Sequence, residues 1–233
     1  MSKCVHHHGE FKELCVQKVP IFNHLDREEM IQVVNLSTPL HYKKGELIFQ
    51  DGESLDYLYI IHVGAVKIYR LYSNGKEQLL RVLHPGDFMG DLALFTKKEI
   101  DSYAEALEDT EICAIHRNDM QQLMLSKPII ATKILEKLSV RLEETEKLVG
   151  QLSVHDAEAR IASYLLDLKK SSNSSVVSLP MSKKDLASFL GTTRETISRR
   201  LSHFQTQGWI EQKGHRGITL KDLSALQKIA QEE

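Results

Sequence analysis

Two short helix patterns on either side of a glycine constrain the fold of this chain more than any other feature. Ser182 is a good N-cap for the segment KKDLASFL, and Gly191 follows at the position where glycine commonly ends a helix. Thr192 or Thr193 can cap the next segment, RETISRRLSHFQTQ, which Gly208 ends. Two short helices joined by a turn that contains glycine predict a helix-turn-helix.

The segment WIEQKGHRGITL comes directly after the second helix pattern. It predicts a hairpin whose tip, from Lys213 to Arg216, is basic. A basic tip of this kind can lie along a phosphate backbone. The sequence therefore predicts the winged form of the motif.

The second helix pattern has two chemically different faces. Ile197, Leu201 and Phe204 recur at helical spacing and predict the buried face. The opposite face carries four polar side chains: Arg194, Glu195, Ser198 and Arg199. Arginine can bind guanine O6 and N7, and glutamate can accept a hydrogen bond from cytosine N4. These side chains lie in the first two turns, which is the part of a recognition helix that normally enters the major groove.

Charge is distributed unevenly along the chain. The formal net charge is −2, but the stretch 181–221 is basic and the stretch 101–111 is acidic. A local basic segment in a nearly neutral chain indicates an anionic partner for that segment. We expect Thr193, Lys183 and His203 to contact phosphates. The alternative, a solvated charged face on an ordinary surface helix, fits the surrounding motif less well.

The stretch from Tyr42 to Ile115 has a strand-like sequence pattern. Short β-rich runs alternate with glycines there, and Ser73–Gly75 (SNG) is a strong hairpin signal because Asn and Gly tolerate positive φ. Strands at this spacing, with no helix pattern between them, predict an all-β barrel or jelly roll. A helix start at Asp26 precedes this stretch.

Residues 118–152 follow a helical pattern. An apolar stripe recurs in steps of three or four: Ile130, Ile134, Leu138, Leu142, Thr145, Leu148 and Leu152. The remaining face is highly charged, so only a narrow stripe needs to be buried. We expect a dimerisation helix, and the alternative is a helix that lies on its own barrel.

No apolar run approaches the roughly 18–20 residues that would span a bilayer, and the N-terminus does not resemble a signal peptide. We therefore expect a cytoplasmic protein with no membrane partner. The chain has three cysteines, which a reducing compartment would keep mostly as thiols. Two of them, Cys4 and Cys15, flank His6, His7 and His8. This stretch is a candidate metal site, a candidate redox switch or an inert tail.

The segment MSKKDLASFLGTTRETISRRLSHFQTQGWI resembles the DNA-binding signature of the Crp/Fnr family of bacterial transcription regulators. The segments YKKGELIFQDGESLDYLYIIHVGAVKIYR and HPGDFMGDLALF resemble the barrel of that family. The resemblance implies an α+β chain with four parts. These are a Cys/His-rich tail (1–20), a double-stranded β-helix sensor domain like a cyclic-nucleotide-binding jelly roll (21–117), a dimerisation helix (118–152) and a winged helix-turn-helix (153–233).

The same resemblance implies a homodimer that binds double-stranded DNA at a palindromic operator and works with RNA polymerase. The run ETISR, Glu195 to Arg199, is closer to the Fnr branch than to the cyclic-AMP branch. In the Fnr branch, the positions of Glu195, Ser198 and Arg199 read a TTGA-like half-site. Arg194 occupies a position where the cyclic-AMP branch uses arginine to read guanine, so the half-site is left open.

Cyclic-AMP sensing is not expected from this resemblance. Nucleotide-binding members use a Gly-Glu pair followed by Arg-Ser. Here Asp91 replaces the glutamate, and the arginine position falls near Ile100 and Asp101. A carboxylate near a phosphate is repulsive. Lys97 and Lys98 lie too early in the loop to take the place of the arginine.

Fnr-like members bind an oxygen-labile iron–sulfur cluster with N-terminal cysteines and one cysteine on a late barrel strand. Cys113 and Cys15 match two of those positions, whereas Cys4 is displaced and an earlier ligand position falls on His6. The resemblance thus implies a cluster held by Cys4, Cys15, Cys113 and a histidine. The same residues suit zinc, a thiol–disulfide switch needs only two of the thiols, and Cys113 can also be a small core residue.

An enzyme is the remaining class, because metal cupins are also built on double-stranded β-helices. Such an enzyme typically carries two histidines close together on one strand. No His-x-His occurs between residues 42 and 116. We therefore expect a regulator with no enzymatic activity.

Overall fold

The computed structural model describes residues 16–17, 19–154 and 156–231, and for residue 147 and residues 150–154 it describes the backbone alone. The chain divides into two compact units. The first comprises the residues up to Leu71 together with Arg81–Val140, and the second comprises Tyr72–Leu80 together with Arg141–Glu233. No helix in the described ranges combines the length and the apolar character needed to cross a membrane.

The barrel of the first unit consists of two four-stranded sheets, with strand orders β1-β8-β3-β6 and β2-β7-β4-β5. The strands are β1 (Ser37–Tyr42), β2 (Leu47–Phe49), β3 (Tyr57–Val63), β4 (Val66–Leu71), β5 (Glu77–Leu83), β6 (Phe88–Met89), β7 (Tyr103–Ala106) and β8 (Thr110–His116). Val66, Ile68, Ala104 and Ile112 are among the buried residues of its core. The predicted β-barrel is confirmed.

The predicted hairpin at Ser73–Gly75 joins β4 to β5. The amide of Gly75 donates to the carbonyl of Tyr72 (2.8 Å), and the amide of Tyr72 donates to the carbonyl of Lys76 (3.0 Å). Gly75 has a φ of +76°, a conformation that side chains with a Cβ rarely adopt. This is the reason why the SNG signal identified the turn correctly.

Helix α1 (Arg27–Leu36) precedes the barrel and begins at the predicted residue. The side chain of Asp26 accepts a hydrogen bond from the amide of Glu29 (2.9 Å), and the side chain of Glu29 accepts one from the amide of Asp26 (3.0 Å). This reciprocal capping box satisfies two amides that the helix itself leaves without partners. Met30, Val33 and Val34 are the buried residues of the helix.

The helical region predicted over 118–152 is two helices rather than one. Helix α3 (Arg117–Ser126) ends before Lys127, and helix α4 (Pro128–Val154) begins with a proline. Proline disfavours the helical conformation of the residue before it, and Lys127 has a φ of −132° and a ψ of 77°. A short helix, α2 (Asp91–Phe95), lies earlier in this unit, between β6 and β7.

The predicted apolar stripe divides between two faces of α4. Ile130 and Ile134 are fully buried in the core of the first unit, and Leu138 packs against that core. Steps of four residues advance about 40° beyond a full turn, so such a stripe winds around the helix. On the other face, Leu142 of the stripe lies seven residues from Leu135 and from Val149, and Leu135, Leu142 and Val149 are 61%, 60% and 58% exposed.

The second unit begins with the C-terminal part of α4 and has four complete helices in its described residues: α5 (Ala157–Ser172), α6 (Lys183–Phe189), α7 (Arg194–Thr206) and α8 (Leu223–Gln231). A three-stranded sheet has the order β10-β11-β9 and consists of β9 (Val176–Ser178), β10 (Ile210–Lys213) and β11 (Gly217–Leu220). The predicted wing hairpin is β10–β11, and β9 adds a strand that the sequence pattern did not indicate.

Candidate nucleic-acid interface

The helix-turn-helix begins and ends where its capping residues lie. The Ser182 hydroxyl accepts a hydrogen bond from the amide of Asp185 (3.2 Å) at the start of α6. Thr193, rather than Thr192, is the N-cap of α7, and its hydroxyl accepts from the amide of Thr196 (3.2 Å). Gly191 has a φ of +62° in the turn between them. The sequence therefore folds locally into the predicted motif because each helix end has its own capping group.

Helix α7 has the two faces that its sequence predicted. Ile197, Leu201 and Phe204 are fully buried. The predicted base-reading residues lie on the accessible side: Arg194, Glu195 and Arg199 are exposed, and Ser198 is partly exposed. The first two turns of α7 thus offer two guanidinium groups, one carboxylate and one hydroxyl. Together these groups can donate to guanine and accept from cytosine.

The three residues predicted to contact phosphates all have partners within the chain. The Thr193 hydroxyl caps α7 and lies 3.0 Å from the hydroxyl of Thr196. Lys183 Nζ donates to Gln212 Oε1 in β10 (2.9 Å), and His203 Nε2 lies 3.8 Å from Glu158 Oε1 in α5. Their phosphate contacts stay a prediction, since binding would have to share or replace these interactions.

The wing presents its basic tip to solvent. Lys213, His215 and Arg216 are exposed at the turn between β10 and β11. A Cβ added to Gly217 would lie 2.7 Å from the carbonyl oxygen of Lys213, so glycine is needed for this tight pairing. At the base of the wing, Lys221 Nζ lies 2.8 Å from Glu211 Oε2 and lowers the pKa of that carboxyl through their hydrogen bond.

Helix α5 holds the motif through two residues that the sequence analysis did not single out. Glu158 pairs with Arg200 of α7, and Arg160 Nε donates to the carbonyl of Leu190 after α6 (3.0 Å). The amphipathic pattern of α5 predicted a helix. It carried no signal for these partners, because they lie far away in the sequence.

The segment that the resemblance matches to the nucleotide site of the family carries both acidic and basic groups. Asp91 is buried at the start of α2, and Asp101 pairs with Arg70 (Oδ2 to Nη2, 2.5 Å). Lys97 and Lys98 are exposed after α2. The guanidinium of Arg70 therefore has a carboxylate partner on the surface in this structure. The absence of cyclic-AMP sensing stays a prediction.

Nearby, the barrel interior holds a tyrosine whose ionisation is suppressed. Burial raises the pKa of Tyr59 to about 12, and the ring of Tyr59 packs at a tilt against Phe49. The phenol is neutral at physiological pH. It can offer a hydrogen bond but no charge.

Most of the predicted metal ligands lie outside the described residues: Cys4, His6 and Cys15. Cys113 lies in β8 between β1 and β3, opposite Pro39 and Ile60 in the two registers. It is partly buried and packs against the core cluster that also contains Val16. Within the described ranges, no three His, Cys, Asp or Glu side chains are grouped so that they could hold a metal ion. The ligand set stays a prediction.

Comparisons with known proteins agree with this architecture. A family model described as a cyclic nucleotide-binding domain matches residues 39–127, and one described as a Crp-like helix-turn-helix domain matches residues 159–229. The chain is 34% identical to a probable transcriptional regulator, flp, of Lacticaseibacillus casei over 86% of this chain and 91% of that protein. It is 30% identical to an anaerobic regulatory protein of Haemophilus influenzae over 92% of this chain and 83% of that protein.

Among solved structures, FixK2 from Bradyrhizobium japonicum is similar with a TM-score of 0.74 and 29% sequence identity, covering 84% of this chain and 98% of that one. The similarity in sequence and in structure to these proteins therefore extends over both the barrel and the helix-turn-helix. The exposed polar face of α7, the basic wing and these relatives lead to one conclusion. The chain belongs to the Crp/Fnr family of DNA-binding transcription regulators.

Proposed function

We propose that this regulator acts as a homodimer that binds a palindromic, TTGA-like operator and changes its DNA affinity with oxygen or redox state. The observation that carries the DNA part is the accessible face of α7, on which Arg194, Glu195, Ser198 and Arg199 lie in the first two turns. Glu195, Ser198 and Arg199 would read the half-site, and the exposed wing would contact the phosphate backbone.

The heptad stripe of α4 supports the proposed homodimer. Leu135, Leu142 and Val149 are exposed at seven-residue spacing, and Thr145 follows Leu142 by three residues. This spacing matches a and d positions of a two-stranded coiled coil. A dimer built on it would present two recognition helices, which must lie about 34 Å apart to enter successive major grooves.

Cys113 supports the redox part of the proposal. It packs against the cluster that contains Val16, the residue that follows Cys15 in the chain. An iron–sulfur cluster supplies an oxygen-labile redox centre when it is bound by thiolates. Cys113 would hold it from β8, and Cys4, Cys15 and His6 would be the remaining ligands. One relative is named an anaerobic regulatory protein, which agrees with this kind of signal.

RNA polymerase is the proposed protein partner, by analogy with the family, and the cytoplasm is the proposed compartment. Cyclic AMP is not proposed as the signal, because the position of the phosphate-binding arginine in nucleotide-binding members falls near Ile100 and Asp101 in this chain. Adding cyclic AMP should therefore leave operator affinity unchanged in a DNA-binding titration.

The experiment that tests the proposal is anaerobic purification followed by iron, sulfide and zinc assays and an operator-binding titration before and after exposure to air. The variants are Cys113→Ser and Cys113→Ala, since alanine keeps a small apolar side chain but has no sulfur. Two results together would support the cluster. The wild type would contain iron and sulfide and bind DNA in an air-sensitive way, and both variants would lose this air sensitivity.

Other outcomes would select different chemistry. A colourless protein that loses two thiols on oxidation would indicate a disulfide switch, and stoichiometric zinc without iron or sulfide would indicate a zinc-responsive regulator. An unchanged response to air in both variants would contradict a role for Cys113.

A further inference from the structure

Glu158 lies in the first turn of α5 and faces α7. Its side chain is 14% exposed, and its Oε2 lies 2.5 Å from Nη1 of Arg200. Its other oxygen, Oε1, lies 3.8 Å from Nε2 of His203, one turn further along α7. A single carboxylate therefore contacts two side chains of the recognition helix.

Arg200 differs from its neighbour Arg199 in the direction of its side chain. Successive helical residues point about 100° apart, so two adjacent arginines cannot share one face. Arg199 is exposed on the proposed base-reading side, whereas Arg200 is directed to α5. The Nε of Arg200 is buried and has no hydrogen-bond partner in the described part of the chain. Glu158 is the carboxylate that pairs with this guanidinium, whose side chain is 34% exposed.

The same turn of α5 also holds the other helix of the motif. Arg160 Nε donates to the carbonyl of Leu190, the C-cap residue of α6 (3.0 Å). Residues 158 and 160 thus connect α5 to α7 and to the end of α6. These contacts fix α5 to both halves of the helix-turn-helix.

We infer that Glu158 is a positioning residue for sequence reading, which orients α7 through Arg200 and His203. The ion pair sets the rotation of α7 about its axis relative to α5, and this rotation determines which side chains face the bases. The inference rests on the proposed base contacts of Arg194, Glu195, Ser198 and Arg199.

The sign of the effect separates positioning from simple electrostatics. A carboxylate in a DNA-binding unit repels phosphates, so removing its charge should strengthen binding to every DNA if charge were its only role. Loss of orientation has a different consequence. It weakens binding to the operator and leaves binding to unrelated DNA unchanged or slightly stronger, because base contacts depend on geometry more than phosphate contacts do.

The test compares Glu158→Gln with the wild type, using an operator selected by the wild type from random duplexes and an unrelated duplex of equal length. The matched control is Asp167→Asn, which removes another carboxylate of α5, one that lies 3.9 Å from Lys170 Nζ and outside the proposed DNA contacts. We expect Glu158→Gln to lose about tenfold in operator affinity, the size of one lost base contact. Its affinity for the unrelated duplex should not fall, and the control should keep the wild-type ratio of the two affinities.

A second variant tests the mechanism. Arg200→Gln should lower operator affinity, and adding it to Glu158→Gln should cause much less than the product of the two single losses, because both remove one interaction. If Glu158→Gln does not fold, as judged by thermal unfolding, Glu158→Asp replaces it, since the shorter carboxylate keeps the charge but shortens the reach to Arg200.

Several results would overturn the inference. One is unchanged or stronger operator binding by Glu158→Gln, and another is an equal loss of affinity for both duplexes. A third is a loss of operator affinity in the double variant that equals the product of the two single losses. A wild type that selects no operator would refute the proposed base contacts and the inference together. A selective wild type with an equally selective Glu158→Gln would refute the inference alone.

Discussion

Arg199 and Arg200 are neighbours in the sequence, but the structure gives them different surroundings. Arg199 is exposed on the accessible face of α7, and Arg200 pairs with Glu158. The helical period predicted the exposure of Arg199, because Ile197, Leu201 and Phe204 define the buried side. No local pattern predicted the ion pair of Arg200, since its partner lies on another helix.

Arg199→Ala should weaken operator binding by about 1–3 kcal/mol and relax the preference at one base pair, because one bidentate base contact is lost. Fluorescence titrations with operators changed at single positions would measure this. Lys213→Ala is the matched variant at the exposed wing tip. It should weaken binding to all sequences alike and reduce the salt slope of log K by about 1. An Arg199→Ala protein with unchanged base preference would contradict the proposed reading face.

At the scale of single elements, turn and cap signals predicted more than strand patterns did. The SNG hairpin, the cap Ser182, a threonine cap at 192 or 193 and the wing were predicted because their residue types act locally. The β-rich stretch was predicted to begin at Tyr42, so most of β1 lay outside it, and β1 contains Pro39, a residue type that usually argues against a strand. The structure accommodates Pro39 since β1 is the edge strand of its sheet, where a missing amide removes no central hydrogen bond.

Lys127, the residue between α3 and α4, forms an ion pair with Glu29 of α1 through Nζ and Oε1. The hydrogen bond from Lys127 lowers the pKa of Glu29. A lowered carboxyl pKa contributes stability above the unfolded value of 4.5, and this contribution disappears as pH falls through the folded value. Lys127→Met should therefore raise the pKa of Glu29, measured by NMR titration. The stability difference between variant and wild type should shrink as pH falls below 4.5. A Glu29 titration that the variant does not change would contradict the pairing.

At the scale of the whole molecule, the family, the barrel and the winged motif were predictable because the resemblance extends over most of the chain. The division of the α4 stripe was not. Ile130 and Ile134 looked equivalent to Leu142 in the sequence, yet the first two are buried in their own unit and the third is exposed. Only the three-dimensional packing of α4 distinguishes an internal face from a free one.

Leu142→Lys should weaken the proposed dimer by about 2 kcal/mol or more, because it places a charge at the centre of the exposed heptad stripe. Sedimentation velocity across a concentration series would measure the change. Leu125→Lys is the control, since Leu125 is also exposed but lies on α3. Equal effects of the two substitutions, or none from Leu142→Lys, would contradict the assignment of the stripe.

The shortness of this stripe has a consequence for gene control. Leu135, Leu142 and Val149 span two heptads, and Thr145 contributes a polar group at a d position. In the proposed dimer, such a seam would make association dependent on protein abundance. While monomers predominate, the amount of dimer grows with the square of the total protein. Operator occupancy would then rise steeply with expression level, and a modest change in synthesis or degradation would act as a second input beside the proposed redox signal.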